Sequence, residues 1–330
     1  MDFRLKELKA FVRERAAQCR ILVVGDVMLD KYYYGEVTRI SPEAPVPVTR
    51  VTSMKDTLGG AANVAHNLAL LGCQTDIIGY VGDDYHRTSL VEKLEARGVR
   101  HDGLVCTEAP TTTKLRVIGG HQQMIRLDFE EPEPPEEQYS AALLENIGRA
   151  LGHGVDAVII SDYGKGVCTK ENCRYIVDEC VKQSIPVVVD PKGNDWERYA
   201  GADYVTPNLK ELNEVLPSKI KNDDAAVTRA ARYVSDRFGI ENVLATRSEC
   251  GLSLVQTDTA VHIPTKAQEV FDVSGAGDTV IAVFAMALAG GLEPAESAYL
   301  ANLAASVVVA KLGTYAVSNE ELLAAIEANG

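Results

Sequence analysis

Short runs of apolar, mostly β-branched residues recur along the chain and alternate with segments in which apolar residues follow helical spacing. Each run is continuous, which is typical of a strand that is buried on both faces. Strands of this kind that alternate with helices predict a parallel sheet covered by helices on both sides. The predicted strands are 21–25, 75–80, 157–161, 186–190, 204–206 and 243–246.

Polar residues follow most of these predicted strands directly. They are Asp26, Ser161 with Asp162, Asp190, Asn208 just beyond its strand, and Thr246 with Arg247. Ligands of open α/β sheets bind beyond the carboxyl ends of the strands. We therefore expect these side chains to converge on one crevice.

Two segments break the alternation of strands and helices. Residues 32–53 carry three prolines among valines, and residues 111–129 alternate apolar and polar positions around the turn at Gly119 and Gly120. We expect a small antiparallel β lid at about 32–53 and 108–130, whose polar face covers the crevice. Its apolar face must pack on the body or on a second copy of the chain, and we favour a homodimer contact. The apolar face carries Leu115, Val117, Ile125, Leu127 and Phe129, and the polar face carries Lys114, Arg116, Arg126 and Asp128.

Charge and cysteine content exclude several classes of partner. The 33 Lys and Arg residues against 47 Asp and Glu give a net charge of -14, which repels nucleic acid and anionic membranes. The seven cysteines form no Cys-x-x-Cys pair, which favours reduced thiols and a cytoplasmic location. The charged opening segment predicts an amphipathic helix rather than a signal peptide, and no run is long enough to span a bilayer.

The segment Asp272-Val-Ser-Gly-Ala-Gly-Asp-Thr279 precedes a strongly apolar helix. A helix start rich in glycine lets backbone N–H groups approach an anion such as phosphate. Asp278 is unusual there, because a carboxylate beside bound phosphate either caps the helix or accepts a proton. The chain lacks the P-loop pattern and the third glycine of a dinucleotide-binding turn, so these nucleotide folds are excluded.

Two motifs resemble the ribokinase/PfkB family of sugar kinases. The segment 272–278 is similar to the family signature Asp-Thr-x-Gly-Ala-Gly-Asp, with Val273 in place of Thr, and Gly59-Gly60-Ala-Ala-Asn63 is similar to its N-terminal Gly-Gly element. The resemblance covers essentially the whole chain. It implies a ribokinase-like three-layer α/β sandwich, with a mostly parallel central sheet and a small antiparallel β lid. Residues 1–330 would then form one kinase domain.

The resemblance also implies the catalytic roles. Asp278 would accept the proton of the attacking sugar hydroxyl, while the N–H groups of Gly275, Ala276 and Gly277 hold the transferred phosphoryl group of ATP. On the sugar side, carboxylates, an amide and glycines would contact hydroxyl groups, and basic residues would bind a substrate phosphate. The hydroxyl-binding candidates are Asp26, Asp30, Gly59, Gly60, Asn63 and Asp162; the phosphate-binding candidates are Lys114, Arg116, Arg126 and Lys192.

On the nucleotide side, the family's Asn-x-x-Glu element matches Asn208 and Glu211, which would organise Mg²⁺ and the phosphates through water. A plain helix N-cap is the alternative role for Asn208, and no Lys or Arg is expected to neutralise Glu211. Asp272 and Ser274 match positions that line a monovalent cation site in some members, which leaves binding of K⁺ open. The remaining nucleotide-binding candidates are Thr246, Ser248, Gly251 and Asn302.

Five further segments resemble the branch of the family that phosphorylates D-glycero-D-manno-heptose 7-phosphate at the anomeric O1, a step toward ADP-heptose and lipopolysaccharide. They are 25–30, 39–48, 113–116, 122–128 and 190–193. Many members of that branch are fused to an adenylyltransferase with a His-x-Gly-His tetrad, which this chain lacks, so a stand-alone kinase is expected. The alternatives are a kinase for a pentose, a ketohexose phosphate or a nucleoside, and a non-catalytic sugar-binding relative.

Overall fold

A large sheet of eight strands forms the centre of the described part of the molecule. The computed structural model describes residues 3–120, 122–131, 136–267, 269–311 and 313–329. The sheet order is β14-β13-β12-β11-β10-β9-β1-β4, and every pairing is parallel except those of β12 with β13 and β13 with β14. In chain order the strands are β1 (Arg20–Gly25), β2 (Val27–Ile40), β3 (Pro47–Gly60), β4 (Gln74–Ile78), β5 (Tyr80–Gly82), β6 (Val105–Thr107), β7 (Thr113–Gly119), β8 (Gln122–Phe129), β9 (Ala157–Ser161), β10 (Val187–Asp190), β11 (Tyr204–Val205), β12 (Asn242–Thr246), β13 (Leu252–Val255) and β14 (Ala260–Ile263).

Helices cover both faces of this sheet and enclose two hydrophobic cores. Along β1, Ile21 and Val23 point into one core while Leu22 and Val24 point into the other. This confirms the predicted parallel sheet with both faces buried. Helices α1, α2, α3, α8, α9 and α10 contribute to the first core and α4 to α7 to the second. The helices are α1 (Leu5–Ala10), α2 (Ala61–Leu70), α3 (Tyr85–Glu95), α4 (Glu137–Gly152), α5 (Lys170–Gln183), α6 (Leu209–Val215), α7 (Asp224–Phe238), α8 (Ala276–Ala289), α9 (Pro294–Val308) and α10 (Asn319–Ala328).

The predicted strand 75–80 is divided in two by Gly79. A side chain at this position would collide with the backbone of Gly25, so the chain passes β1 too closely for a continuous strand. The second part, β5, pairs with β6 in a separate small sheet. The predicted N-terminal helix is also shorter than expected: α1 continues only as a π-helical turn and a 3₁₀ turn to Gln18.

A second sheet, β3-β2-β7-β8, projects from the main body. It consists of two antiparallel hairpins joined by a parallel pairing of β2 with β7, which the sequence did not indicate. Its strands reach from 27 to 60 and from 113 to 129, so the first hairpin is longer than the predicted 32–53. Residues in register across the four strands share a face, which places Lys55, Tyr32, Arg116 and Arg126 in one row and Met54, Tyr33, Val117 and Ile125 in a row on the opposite face.

Two further features concern the state of the cysteines and the length and apolar character of the helices. All seven cysteines are free thiols, and five of them are buried. Among the described helices, none has the length and apolar character needed to cross a membrane.

Candidate active site

Asp278 lies in the first turn of α8, at the bottom of a cleft of about 210 Å³ beyond the carboxyl ends of the central strands. Its side chain is only 5% exposed. Asn63 Nδ2 donates to one carboxylate oxygen and Tyr163 Oη to the other, both at 2.6 Å. Each oxygen keeps a second acceptor position, so a substrate hydroxyl can still donate to this carboxylate.

Burial raises the pKa of Asp278 to about 6, while the hydrogen bonds from Asn63 and Tyr163 lower it and the nearby charge of Asp30 raises it further. Burial and neighbouring carboxylates raise the pKa of Tyr163 well above its ordinary value, so its hydroxyl stays protonated and donates. Asp278 is thus an ionised acceptor at neutral pH whose affinity for a proton is well above that of a solvated aspartate.

The N-terminus of α8 is open to an anion. Gly275 is the N-cap in the left-handed conformation, with φ of 80°, and no side chain caps the helix. A β-carbon at Gly275 would approach Asn63 Nδ2 and Thr314 Cγ2, so the position requires glycine for both backbone and space. Gly275 and Gly277 line the cleft beside Asp278, whereas the N–H of Ala276 donates back to the carbonyl of Val273. Asp278 does not cap the helix, which removes one of its two predicted roles.

Asn63 was predicted to contact sugar hydroxyls, but it is buried and its amide is occupied by Asp278. The same contact joins α2 to α8. Asn67, one turn further along α2, donates to the carbonyl of Asn63 and accepts from the hydroxyl of Thr279. In the structure Asn63 therefore orients the carboxylate of Asp278, and a contact of Asn63 with the sugar stays a prediction.

Asp26 was also predicted to bind sugar, and the structure places it elsewhere. Its carboxylate is 2% exposed and accepts the backbone N–H groups of Tyr163, Lys165 and Val167, at 2.7, 3.0 and 3.2 Å. Burial and the charge of Asp162 raise the pKa of Asp26 to about 6, against the lowering effect of these three hydrogen bonds. Asp26 therefore holds the segment 162–167, called the 162–167 loop below, rather than a ligand.

Asp162, a third predicted sugar contact, supports the same loop from its other end. One oxygen accepts the N–H of Gly164 at 2.7 Å, and the other accepts the hydroxyl of Tyr199 at 2.6 Å and lies 3.0 Å from the guanidinium of Arg198. Burial raises the pKa of Asp162, and the neighbouring Arg198 opposes this effect. Although Asp162 borders the cleft, its carboxylate is fully engaged within the protein.

The nucleotide-side pair Asn208 and Glu211 forms a capping box at the start of α6. The side chain of Asn208 accepts the N–H of Glu211, and the side chain of Glu211 accepts the N–H of Asn208, both at 3.0 Å. The alternative role of Asn208 as an N-cap is therefore present in the structure, although both residues also line the cleft. Lys192 Nζ lies 3.6 Å from Glu211 Oε1, so the expectation that no Lys or Arg neutralises Glu211 was wrong. Lys192 thus lies beside Glu211, and its contact with the sugar phosphate stays a prediction.

The carboxylates around the cleft suit a hard divalent cation. Burial, followed by the charges of Glu211 and Asp278, raises the pKa of Asp190 well above its ordinary range, while Lys192 opposes this effect. Oxygen donors from Asp190, Asn208 and Glu211 match the preference of Mg²⁺. Within the described residues no three acidic, His or Cys side chains converge as a direct ligand set. The site therefore fits a Mg²⁺ ion that would take most of its ligands from phosphate oxygens and water.

The other predicted nucleotide-side residues form the rim of this region. Thr246 ends β12 and borders the cleft, while Ser248 begins a short 3₁₀ turn that Gly251 closes. Asn302 is buried and donates to the carbonyl of Pro264, so it braces a loop, and its contact with the adenine base stays a prediction. Asp272 accepts the N–H groups of Ser274 and Gly313, and a monovalent ion near Asp272 and Ser274 stays a prediction.

The second sheet contributes an ion pair to the sugar side of the crevice. Arg116 Nη1 donates to Asp30 at 2.6 Å, and its guanidinium lies over the ring of Tyr32. Gly59 and Gly60 pair with Met28 and Val27 where β3 meets β2, next to Asp30. Arg126, near the middle of β8, makes a bidentate pair with Asp128 and is half exposed.

Sequence reasoning missed Tyr163 and Lys165. Tyr163 contacts the catalytic carboxylate, and Lys165 forms an ion pair with Glu130 at the base of the second sheet. The available signal was the segment Asp162-Tyr-Gly-Lys-Gly166, which directly follows a buried strand and alternates glycine with functional side chains. Such a segment at the carboxyl end of a central strand is a candidate ligand loop.

Comparison with known proteins identifies the family of the chain. The family described as pfkB family carbohydrate kinase matches residues 18–322. A protein of Bordetella bronchiseptica named D-beta-D-heptose 7-phosphate kinase is 47% identical over 322 residues, which cover 96% of this chain and 98% of that protein. The bifunctional protein HldE of Photorhabdus laumondii is 48% identical over 93% of this chain, and the chain spans 63% of its length. For HldE of Shewanella sediminis, the identity is 45% and the spanned share is 64%.

Solved structures show the same fold at lower identity. Ribokinase of Arabidopsis thaliana, complexed with ribose and ATP, superposes with a TM-score of 0.72 at 21% identity and covers 94% of this chain and 99% of that chain. The tetrameric inhibited form of phosphofructokinase-2 from Escherichia coli gives a TM-score of 0.77 at 20% identity, with the same coverage. These matches confirm the predicted ribokinase-like α/β fold.

The hydrogen bond from Tyr163 to Asp278 predicts a change in the pH dependence of phosphoryl transfer. The carboxylate must be ionised to accept a proton, so kcat/KM should fall as the pH drops through about 6. The change Tyr163→Phe removes a donor that stabilises the ionised form, so the pKa of Asp278 rises and the acid limb moves to higher pH. The pH profile of kcat/KM measures this shift. Tyr233→Phe, on the exposed side of α7, is the matched control, and identical acid limbs in both variants would contradict the role of Tyr163.

Proposed function

Because the chain belongs to the pfkB family of carbohydrate kinases, we propose that it transfers the γ-phosphoryl group of ATP to the anomeric O1 of D-glycero-D-manno-heptose 7-phosphate. The product is the 1,7-bisphosphate, and the reaction serves the route to ADP-heptose and lipopolysaccharide in the cytoplasm. The near full-length similarity to the Bordetella protein supports the choice of sugar.

The observation that carries this proposal is the position of Asp278 beside an uncapped helix N-terminus. The carboxylate is buried, oriented from both sides and directed into a cleft, as a general base for a hydroxyl requires. The amides of Gly275 and Gly277 line the same cleft, where they can stabilise charge on the transferred phosphoryl group. A sugar-binding protein without catalysis has no need for a base in this position.

In this proposal Asp190, Asn208 and Glu211 would hold, beside the phosphates of ATP, hydrated Mg²⁺, which would supply positive charge between the nucleotide and the acidic cleft. Lys192 contributes a further positive charge next to Glu211. The protein's own share of the chemistry is to orient the acceptor hydroxyl, take up its proton at Asp278 and bind the transferred group at the start of α8.

A panel of phosphoryl acceptors tests the proposed substrate. Purified protein with ATP and Mg²⁺ should give a higher kcat/KM for heptose 7-phosphate than for ribose, fructose 6-phosphate or adenosine, measured by coupled ADP release. NMR of the product should locate the new phosphate on O1. A higher kcat/KM for any of the other acceptors would reject the heptose assignment while leaving the kinase family intact.

The variant Asp278→Asn is the control for the catalytic role in that assay. It keeps the size of the side chain but removes the proton acceptor, so we expect kcat to fall by about 10²–10⁴ with little change in either KM. A variant that kept more than about a tenth of the wild-type rate would show that another group takes the proton.

We also propose a homodimer through the apolar face of the second sheet. Met54, Ile125 and Leu127 on this face are 68%, 51% and 43% exposed, although they lie in a contiguous apolar region. An exposed apolar patch of this kind is typical of a protein interface. The base of the same face already packs on the body, where Phe129 meets His86, so the distal part is what remains for a second copy.

Sedimentation of the wild type and of Ile125→Asp tests the dimer. A buried aspartate without a partner at the interface should convert the dimer to a monomer at micromolar concentration. Val181→Asp, at an apolar residue of α5 that is 64% exposed, is the control and should leave the mass unchanged. A monomeric wild type would contradict the proposal.

A further inference from the structure

Lys165 and Glu130 form an ion pair where the 162–167 loop meets the base of the second sheet. Lys165 Nζ donates to Glu130 Oε1 at 2.7 Å, and both side chains are about three-quarters buried. Glu130 directly follows β8 and continues the alternation of Arg126 and Asp128, so it belongs to the polar face that covers the crevice. The pair therefore lies at the entrance between the loop and the second sheet.

This pair is incompletely satisfied. Glu130 Oε2 is buried and has no hydrogen-bond partner among the described residues. A buried carboxylate oxygen without a donor costs free energy, which weakens the contact as a purely structural brace. A pair of this kind separates more readily when a better anion reaches the lysine.

Lys114 brings a second cation to the same place. It is paired in register with Asp30 on β2 and Asp128 on β8, on the face shared with Glu130. The charges of Asp30, Lys165, Glu130 and Asp128 all act on its ammonium group. In the part of the chain that the structure describes, Lys114 makes no ion pair within 4.0 Å.

The other basic candidates near the crevice are already bound to good partners. Arg116 holds Asp30, Arg126 holds both oxygens of Asp128, and Lys192 lies beside Glu211 on the nucleotide side. Removing any of these cations from its partner would leave a carboxylate unpaired, and the same holds for Lys165 and Glu130. Lys114 has no ion pair to give up, and an anion that reaches Lys114 also comes under the charge of Lys165.

The 162–167 loop links this cation site to the catalytic base. Tyr163 contacts Asp278, and Lys165 follows two residues later on the same segment. The backbone N–H groups of both residues are bound to Asp26, which fixes their relative position. A substrate with a hydroxyl at one end and an anion at the other can therefore contact both ends of one rigid loop.

We propose that Lys165 and Lys114 bind the phosphate at the end of the sugar remote from the reacting hydroxyl, and that Glu130 occupies Lys165 until this phosphate displaces it. The inference rests on the proposed function and names the site within it that selects a phosphorylated sugar. A phosphate dianion carries more charge than the carboxylate it replaces and accepts hydrogen bonds from both ammonium groups. A neutral sugar cannot make this exchange.

The variant Lys165→Met tests the site, because it keeps the length of the side chain and the backbone contact with Asp26. We expect the KM for heptose 7-phosphate to rise at least about tenfold, with the KM for ATP unchanged. The kcat/KM for unphosphorylated heptose should not change, so the preference for the phosphorylated sugar declines. Lys182→Met, at the far end of α5 and 66% exposed, is the control and should match the wild type.

Glu130→Gln is expected to change the same KM in the opposite direction. A fall in KM cannot result from a loss of folding, so this variant tests the site independently. Removal of the competing charge should lower the KM for heptose 7-phosphate, by up to about fivefold. A rise in that KM would show that Glu130 braces the lysine, and would overturn its displacement.

An unchanged KM in Lys165→Met, with normal turnover of heptose 7-phosphate by the wild type, would overturn the phosphate site alone. No turnover of heptose 7-phosphate by the wild type would instead remove the proposed function itself.

Discussion

The buried carboxylate of Asp26 is the interaction on which the geometry of the sugar side depends. Placing an ionised group where only 2% of the residue is exposed is unfavourable unless several donors surround it. Asp26 has three such donors, all of them backbone N–H groups of the 162–167 loop. Displacement of the loop would remove all three donors from this charge, so the positions of Tyr163 and Lys165 depend on a buried carboxylate that is bonded to their backbone.

The electrostatics of the cleft follow from the same arrangement. The chain carries a net charge of -14, and Asp162, Asp190, Glu211 and Asp278 all border the cleft, yet both proposed substrates are anionic. Attraction must therefore come from local features, because the field of the whole protein opposes it. The start of α8, Lys192 beside Glu211, Lys114 on β7 and Lys165 on the 162–167 loop are such features, and in the proposed function Mg²⁺ would add to the first two. This distribution separates the binding of the nucleotide phosphates from that of the sugar phosphate.

The sequence predicted the sheet well because its strands are continuous apolar runs, a pattern that tertiary contacts reinforce. It failed at Gly79, where only the close approach of Gly25 interrupts the strand. It singled out Asp278 and Gly275 as candidates through the composition of a helix start, which is a local signal. It assigned Asp26, Asn63 and Asp162 to the sugar because a carboxylate or an amide after a strand has the same appearance whether it turns toward a ligand or toward backbone N–H groups. Tyr163 was missed because the residue that its hydroxyl contacts, Asp278, lies more than a hundred residues away in the sequence.

Two carboxylates near the reacting groups share a pKa of about 6, and this affects how the acid limb of activity is interpreted. In the proposed mechanism Asp278 would act on the substrate directly and Asp26 would act through the position of the loop, so protonation of either would lower the rate. The two effects are separable because Tyr163 contacts the carboxylates through different atoms. Its hydroxyl donates to Asp278, while its backbone N–H donates to Asp26. Loss of the hydroxyl alone therefore changes the environment of the base and leaves the support of the loop intact, so a shift of the acid limb in that variant belongs to Asp278.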